Sequence, residues 1–337
     1  MQKRSRFITA ARGYLKFRRV SDATLSRYSR AVISFLETSR ITVPDDLSSL
    51  SASDIPDQVV EYFLERLFES GYEVHVGTYL VAALNFFVGV SPRAQTPWPN
   101  ARGALAGWKN LEPAVSRLPC PWIVAVLVAS HLARMKTAVA LQAARLWILS
   151  FDTYSRSCEV LDIKTHNCFI PGVGGSTVFG FTLSSSVDFE NQALAGLPLR
   201  TKTKTSDDTV IIDSKSFSRI GDVFHALVSD AFAQRADTLS YRLDYPTYAR
   251  LIADAATRGG VPYKVTPHLA RHGGPSEDFF RKKRTLDEIC KRGRWRDKRS
   301  VMRYEKSGML LKSLSALSPQ VRSECERVER SQLSFLM

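Results

Sequence analysis

The sequence has no apolar run long enough to cross a lipid bilayer. Its longest run, Trp122 to Ala129, is far shorter than the ~20 residues that a membrane-spanning helix needs. The first six residues, Met-Gln-Lys-Arg-Ser-Arg, are basic, but the apolar segment of a secretory signal does not follow them. We therefore expect an intracellular protein that is not secreted and has no membrane partner.

Cysteine is scarce, and the few thiols are scattered. No Cys-x-x-Cys pair occurs, and no histidine lies at zinc-finger spacing from a cysteine. This pattern predicts reduced, mostly structural thiols. The sequence also lacks internal repeats and low-complexity segments. The five cysteines are Cys120, Cys158, Cys168, Cys290 and Cys325.

Acidic residues are outnumbered, with 33 Asp and Glu against 47 Lys and Arg, for a formal net charge of +14. Residues 1–30 hold nine basic residues against one acid, and residues 264–306 hold fourteen against six. A localised positive field usually serves a polyanion, because each phosphate that Lys or Arg neutralises releases a counterion. The charge favours a nucleic-acid partner. A basic surface that only keeps the protein soluble is the alternative.

The length of 337 residues suits two domains. Apolar residues recur at helical spacing within residues 1–110, which predicts a small helical domain whose second helix begins at Ser53-Asp54. A proline-rich linker follows at 111–121, and a second domain with a C-terminal tail spans 122–337. Two strongly apolar helices are predicted at its start, at 121–135 and 137–152. Short β-type runs between residues 168 and 213 predict about three strands. The predicted fold class is mainly α with a small β-sheet (α+β).

A group of polar and aromatic residues near the C-terminus has a distinctive order. His268 and Arg271 form a His-x-x-Arg motif, which alone is weak because a helix places any such pair on one face. Trp295 follows Arg271 after 24 positions, and Tyr304 follows Trp295 after nine. Taken singly, Trp295 and Tyr304 are more often buried aromatic residues than functional ones.

This order resembles the C-terminal half of the tyrosine recombinases, the family of Cre recombinase and the phage integrases. The tryptophan and the Val-Met-Arg-Tyr sequence that ends at Tyr304 resemble the Cre type in particular. The family also has an arginine with an acidic residue three positions later, which Arg156 and Glu159 match. Its β-hairpin lysine is matched by Lys202 in Arg-Thr-Lys-Thr, with Lys204 as the alternative.

The resemblance implies a tyrosine-type DNA recombinase that cuts and rejoins DNA through a 3′-phosphotyrosyl intermediate at Tyr304. Arg156 and Arg271 would neutralise the non-bridging phosphate oxygens, which planar guanidinium groups bind in a bidentate manner. Trp295 would add one N–H donor, and His268 would accept the phenol proton or orient the phosphate. Lys202 would protonate the departing 5′-oxygen.

Glu159 and His272 are expected to support this set, with Glu159 holding the histidine pair. The resemblance implies no cofactor, no metal ion and no ATP. Two departures from the family pattern stand near the motif. The glycine that usually comes directly before the His/Trp position is Gly293 here, with Arg294 between it and the tryptophan. His272 is followed by Gly-Gly-Pro.

The implied assembly is a homo-tetramer on double-stranded DNA, serving recombination or the integration of a mobile element. Residues 1–110 would be the DNA-binding, core-binding-like domain, and residues 122–337 the catalytic domain. The tail at 305–337 is expected to dock on a neighbouring protomer. Two alternatives stay open: an inactive DNA-binding protein of the same fold, and a type IB topoisomerase-like enzyme, although that class favours histidine at position 295.

Overall fold

In the computed structural model of the chain, two compact units are present, Met1–Ser116 and Arg117–Met337, each with its own hydrophobic core. The point of division falls within the proline-rich stretch 111–121. The residues that the structure describes are 20–90, 96–113, 118–183, 209–213, 215–295, 297–302 and 307–337.

The described part of the first unit contains four α-helices: α1 (Asp22–Thr38), α2 (Asp57–Glu69), α3 (Val74–Val88) and α4 (Pro99–Leu111). Ser21 caps α1 by accepting a hydrogen bond from the backbone N–H of Thr24. The second helix was expected to begin near Ser53. It begins at Asp57 instead, because a short 3-10 turn with its own capping box occupies Ala52–Asp54.

The second unit is built around two long apolar helices that pack against each other, α5 (Trp122–Arg134) and α6 (Ala138–Thr153). Both lie close to the predicted helices at 121–135 and 137–152. The remaining described helices are α7 (Ser157–Leu161), α8 (Ile220–Ala233), α9 (Tyr245–Arg258), α10 (His268–Phe280), α11 (Leu286–Arg292), α12 (Lys298–Met302), α13 (Ser307–Ser315) and α14 (Pro319–Glu329).

A small antiparallel sheet completes the second unit. Its strands are β1 (Cys168–Phe169), β2 (Phe179–Thr182) and β3 (Thr209–Ile212), in the order β1-β2-β3. Burial alternates along β3, so Val210 and Ile212 face the core. The predicted class, mainly helical with a small sheet, is confirmed.

The C-terminal tail packs on its own unit. Helix α14 lies against α5, and Leu310 and Leu317 are buried. The hydroxyl of Ser313 donates to the carbonyl of Pro119 at 3.0 Å. Arg145 Nε donates to the carbonyl of Leu336 at 2.7 Å. These contacts lie within the same chain, whereas Leu311 of α13 is exposed, and the docking of the tail on a neighbouring protomer stays a prediction.

Candidate active site

Helix α10 carries three of the predicted site residues, and two glycines set its position. A Cβ atom on Gly273 would overlap the carbonyl oxygen of Cys120, and one on Gly274 would overlap that of Phe151. The glycines thus allow the helix to approach the start of α5 and the end of α6 directly. The two glycines after His272, part of a departure from the family pattern, are therefore a packing requirement of this contact.

Arg271 is held by backbone carbonyls on two sides. Only 2% of its surface is exposed. Its Nη1 donates to the carbonyl of Tyr154, and its Nη2 donates to the carbonyl of Gly293 at 3.0 Å. Its guanidinium carbon lies 4.7 Å from the ring centroid of Trp295, a cation–π distance. The orientation of this guanidinium is therefore set by the fold.

Tyr154 makes this arrangement possible through its backbone and its side chain. It ends α6 in the left-handed conformation, with φ of 53°. Its fully buried hydroxyl donates to the carboxylate of Asp278. Burial first, and then the charge of Asp278, raises the pKa of the phenol well above its usual range. Tyr154 is therefore a neutral structural phenol that stacks on Trp295 with ring centroids 6.1 Å apart.

Glu159 lies among three arginines. One carboxylate oxygen, Oε1, pairs with the guanidinium of Arg156. The other, Oε2, accepts from the backbone N–H of Arg156 at 2.7 Å and from Arg294 Nη2 at 2.7 Å. The same oxygen lies 3.8 Å from Arg271 Nη1. Glu159 was predicted to hold the histidine pair, and these contacts place it between the arginines.

The charge of this arginine cluster stays positive. Burial raises the pKa of Glu159, but the guanidinium groups of Arg294, Arg156 and Arg271 outweigh it and hold the pKa below its usual value. The carboxylate is therefore ionised at neutral pH. One carboxylate among three guanidinium groups leaves a net formal charge of +2, so the cluster can attract and stabilise an oxyanion.

The turn after α11 explains the shifted glycine. A Cβ atom on Gly293 would overlap the indole ring of Trp295, so the ring can lie where it does only over a glycine. Arg294 follows with φ of 55°, a left-handed conformation that is unfavourable for a residue with a side chain. The backbone N–H of Trp295 then donates to the carbonyl of Cys290 at 3.0 Å and closes the turn.

His268 and His272 lie one helical turn apart on α10. Their ring centroids are 4.7 Å apart and their planes meet at 78°, an edge-to-face contact. This is the spacing that places two side chains on one face of a helix. The two histidines therefore form a pair on one face of α10.

A second ion-pair network fastens the small sheet to the helices behind the site. Asp213, which directly follows β3, accepts from both terminal nitrogens of Arg284 at 2.6 and 2.9 Å. Arg284 Nε also donates to Asp278 at 2.9 Å. Arg292 donates to the carbonyl of Ile211 at 2.9 Å. Burial raises the pKa of Asp213, but Arg284 and Arg292 lower it to about 2.

Three predicted residues lie outside the described residues: Lys202 and Lys204, within 184–208, and Tyr304, within 303–306. Helix α12, which precedes Tyr304 in the sequence, is described. Its residue Val301 is buried against Tyr154 and Ile289, and this contact anchors α12 beside the arginine cluster.

Three residues that organise the site were missing from the prediction: Tyr154, Asp278 and Arg294. The hydrogen bond between Tyr154 and Asp278 joins residues 124 positions apart, and no local sequence pattern predicts such a pair. The sequence did contain an indication for Arg294, because this residue separates Gly293 from Trp295, where the family pattern has the glycine directly before the tryptophan or histidine. Within the described ranges, no cluster of His, Cys, Asp or Glu could hold a metal ion, and no helix is long and apolar enough to span a membrane.

No protein-family model and no curated protein matches the sequence. Solved structures do match. The Tn1549 transposon integrase in complex with transposon right end DNA is 11% identical, covering 88% of this chain and 95% of its own, with a TM-score of 0.51. A lambda integrase dimer bound to a COC′ core site is 12% identical, covering 85% and 89%, with a TM-score of 0.53. XerH site-specific recombinase bound to palindromic difH substrate is 11% identical, covering 86% and 79%, with a TM-score of 0.55.

This chain has the tyrosine-recombinase fold. The resemblance inferred from the motif residues is thereby confirmed for the architecture. The matches run over most of the recombinase chains as well as most of this one, so they are not confined to one motif. At these identities the likeness concerns the fold, and the activity has to be argued from the site.

Proposed function

We propose that this protein is a site-specific DNA recombinase or integrase that cleaves and rejoins double-stranded DNA through a 3′-phosphotyrosyl intermediate, without metal or ATP. The observation that carries the proposal is the arginine cluster. Two arginines from distant parts of the chain, Arg156 and Arg271, meet at Glu159 beside Trp295, in a fold shared with recombinases that act on DNA.

The arginines serve to bind the scissile phosphate. Negative charge builds on its non-bridging oxygens as the attacking oxygen approaches, and preorganised guanidinium groups stabilise that charge without reorganising. Arg271 is held by two backbone carbonyls and Arg156 by Glu159, so the fold itself orients both guanidinium groups. The indole N–H of Trp295 adds a donor but cannot transfer a proton.

The proposed chemistry is a reversible transesterification. The hydroxyl oxygen of Tyr304 attacks phosphorus, the bond from phosphorus to the 5′-oxygen breaks, and His268 accepts the phenol proton. Lys202, or Lys204 as the alternative, protonates the departing 5′-oxygen. A 5′-hydroxyl from another duplex reverses the same steps, and the energy of the original bond is conserved in the phosphotyrosyl link. His272 supports His268 through the ring contact.

The wider proposal concerns assembly and place. The partner is double-stranded DNA, with Met1–Ser116 as the core-binding-like domain and Arg117–Met337 as the catalytic domain. Four protomers assemble on two DNA segments, which suits an element that moves or resolves itself. The protein works with DNA inside the cell.

Two other functions compete with this one. A binding protein of the same fold would hold DNA without cutting it. A type IB topoisomerase-like enzyme would form the same covalent bond but would relax supercoils without exchanging partners. The tryptophan at position 295 favours the recombinase over the topoisomerase.

Trapping on suicide DNA separates these functions. The protein is incubated in EDTA with nicked duplexes from the flanks of its own gene and with a randomised duplex library, and denaturation-resistant adducts are counted. We expect a metal-independent adduct that Tyr304→Phe abolishes and that Tyr245→Phe, a change at an exposed tyrosine of the same unit, retains. Tight binding with no adduct on any duplex would leave the binding protein as the function. Relaxation of plasmid without strand exchange would indicate the topoisomerase.

A further inference from the structure

Arg294 occupies a position where its backbone and its side chain are both under constraint. Its φ of 55° is left-handed, a conformation that glycine adopts easily and that a residue with a Cβ atom adopts at a cost. A glycine here would remove that cost. The chain nevertheless places its longest cationic side chain at this point, directly between Gly293 and Trp295.

The Arg294 side chain points inward, not toward solvent. Its exposed fraction is 8%, and its buried Nε has no hydrogen-bond partner among the described residues. Burying a cation with an unsatisfied donor is unfavourable unless another interaction compensates. The compensating contact is the hydrogen bond from Nη2 to Glu159 Oε2 at 2.7 Å.

This contact determines how Glu159 can serve the other two arginines. Oε1 is engaged by Arg156, so Oε2 alone faces Arg271, at 3.8 Å. Oε2 accepts from the backbone N–H of Arg156 and from Arg294 Nη2, both at 2.7 Å, so Arg294 is the guanidinium group that holds this oxygen at hydrogen-bond distance. Without Arg294, the guanidinium that faces Oε2 is that of Arg271, and we expect the two groups to draw together, which moves the Arg271 guanidinium away from the position in which it meets a phosphate.

We propose that Arg294 is a positioning residue for strand cleavage, which holds the Glu159 carboxylate between Arg156 and Arg271 and so fixes the two guanidinium groups that bind the scissile phosphate. The inference rests on the proposed recombinase function. Arg294 acts through Glu159 and does not itself contact DNA. Its effect therefore falls on the rate of cleavage and not on the affinity for DNA.

Arg294→Gly is the informative variant, because glycine relieves the left-handed strain while removing the guanidinium. We expect single-turnover adduct formation on the suicide duplex to slow roughly 10- to 100-fold, the size of effect that displaced catalytic groups produce. The Kd for DNA is expected to stay within about 2-fold, since a rate effect alone leaves ground-state binding unchanged. Arg294→Gln, which keeps most of the volume, tests the same loss if the glycine variant does not fold.

A matched control is available in the same unit. Arg235 is exposed and has φ of 50°, so Arg235→Gly removes the same charge and relieves the same backbone strain away from the cluster. It is expected to cleave at the wild-type rate. An equal loss in this control would mean that net charge or backbone strain, and not the contact with Glu159, sets the rate, and would overturn the proposal.

A double-mutant cycle identifies the route of the effect. If Arg294 acts through Glu159, then Arg294→Gly slows cleavage in the wild type but adds little in a Glu159→Gln background. A full additional loss in that background, or a wild-type rate for Arg294→Gly alone, refutes the positioning role. Failure of the wild type to form any adduct is a different result: it refutes the proposed function itself, and this inference with it.

The pH dependence gives a readout that a purely structural role would not change. Arg294 helps to lower the pKa of Glu159, so the carboxylate stays ionised until the pH falls through that lowered value. In Arg294→Gly the pKa of Glu159 rises. Protonation of His268 slows cleavage at acid pH in both proteins, so the readout is the ratio of the variant's rate to the wild-type rate, which is expected to fall further as the pH is lowered. A ratio that does not change with pH would contradict the proposal.

Discussion

Tyr154→Phe tests whether the hydroxyl of Tyr154 stabilises the fold without taking part in cleavage, for which Tyr304 is the proposed nucleophile. The substitution deletes only the hydroxyl, which donates to the buried carboxylate of Asp278. A hydrogen bond to a charged group contributes about 1.5–3 kcal/mol, and Asp278 retains Arg284 Nε at 2.9 Å. We expect the free energy of unfolding to fall by about 2 kcal/mol, which lowers the Tm of a unit of this size by roughly 4–8 °C.

Cleavage should be almost unaffected by the same change. Arg271 is held by the backbone carbonyl of Tyr154, and that carbonyl remains in the phenylalanine variant. The adduct rate on suicide DNA is therefore expected to stay within about 2-fold of wild type, because transition-state contacts are retained. A folded Tyr154→Phe protein that forms no adduct would refute this division of roles, and so would an unchanged Tm.

Alkaline pH gives a second measurement on this variant. The folded-state pKa of Tyr154 is raised, whereas an unfolded tyrosine titrates near about 10. The stabilisation is thus fully present below about pH 10 and is lost as the pH rises from there toward the folded-state value. Tyr154→Phe lacks this contribution, so its stability should fall less steeply above pH ~10. Urea unfolding across that range tests the difference, with the exposed Tyr245→Phe as control.

Two further changes test the surroundings of the site. Asp213→Asn removes a carboxylate whose pKa is lowered to about 2 by Arg284 and Arg292. The stabilisation by this carboxylate is present at neutral pH and is lost as the pH falls through about 4 toward 2. After discounting for solvent screening, we expect the substitution to lower the free energy of unfolding in urea by about 1 kcal/mol at pH 7. Gly293→Ala forces a Cβ atom into the ring of Trp295, and it should slow adduct formation at least roughly 10-fold. Gly103→Ala, where a Cβ meets open space, is the control for glycine replacement and should leave the rate unchanged.

The sequence predicts the parts of this fold that depend on local periodicity. The helices at 121–135 and 137–152 were found within a few residues of their positions, because apolar residues repeat strongly along both. The start of α2 was misplaced, since Ser53 and Asp54 cap a 3-10 turn with the same residue types that begin an α-helix. A capping pattern indicates a helical start but not which kind of helix follows.

The site shows a different limit. His268, Arg271 and Trp295 were predicted from order and spacing, and the structure brings Arg271 and Trp295 together with Arg156 and Glu159. Glu159 was predicted to hold the histidine pair, whereas its ion pairs in the structure are with Arg156, Arg271 and Arg294. Order along the chain does not encode that geometry. The roles of these residues, and of Lys202 and Tyr304, stay predictions.

Many of the basic residues in the stretch 264–306 are paired with carboxylates in the folded unit. Sequence counting treats its fourteen Lys and Arg residues as one positive field for a polyanion. Among the described residues, seven of them form ion pairs with carboxylates of the same unit: Arg271, Arg281, Arg284, Arg292, Arg294, Lys298 and Arg299. Much of this charge therefore organises the site and fastens the sheet behind it. Under the proposed function, we expect the salt dependence of DNA binding to be weaker than the count of basic residues implies, because cations that pair only with carboxylates of the chain release no counterions from DNA. Arg271, which is proposed to bind the scissile phosphate, is the exception.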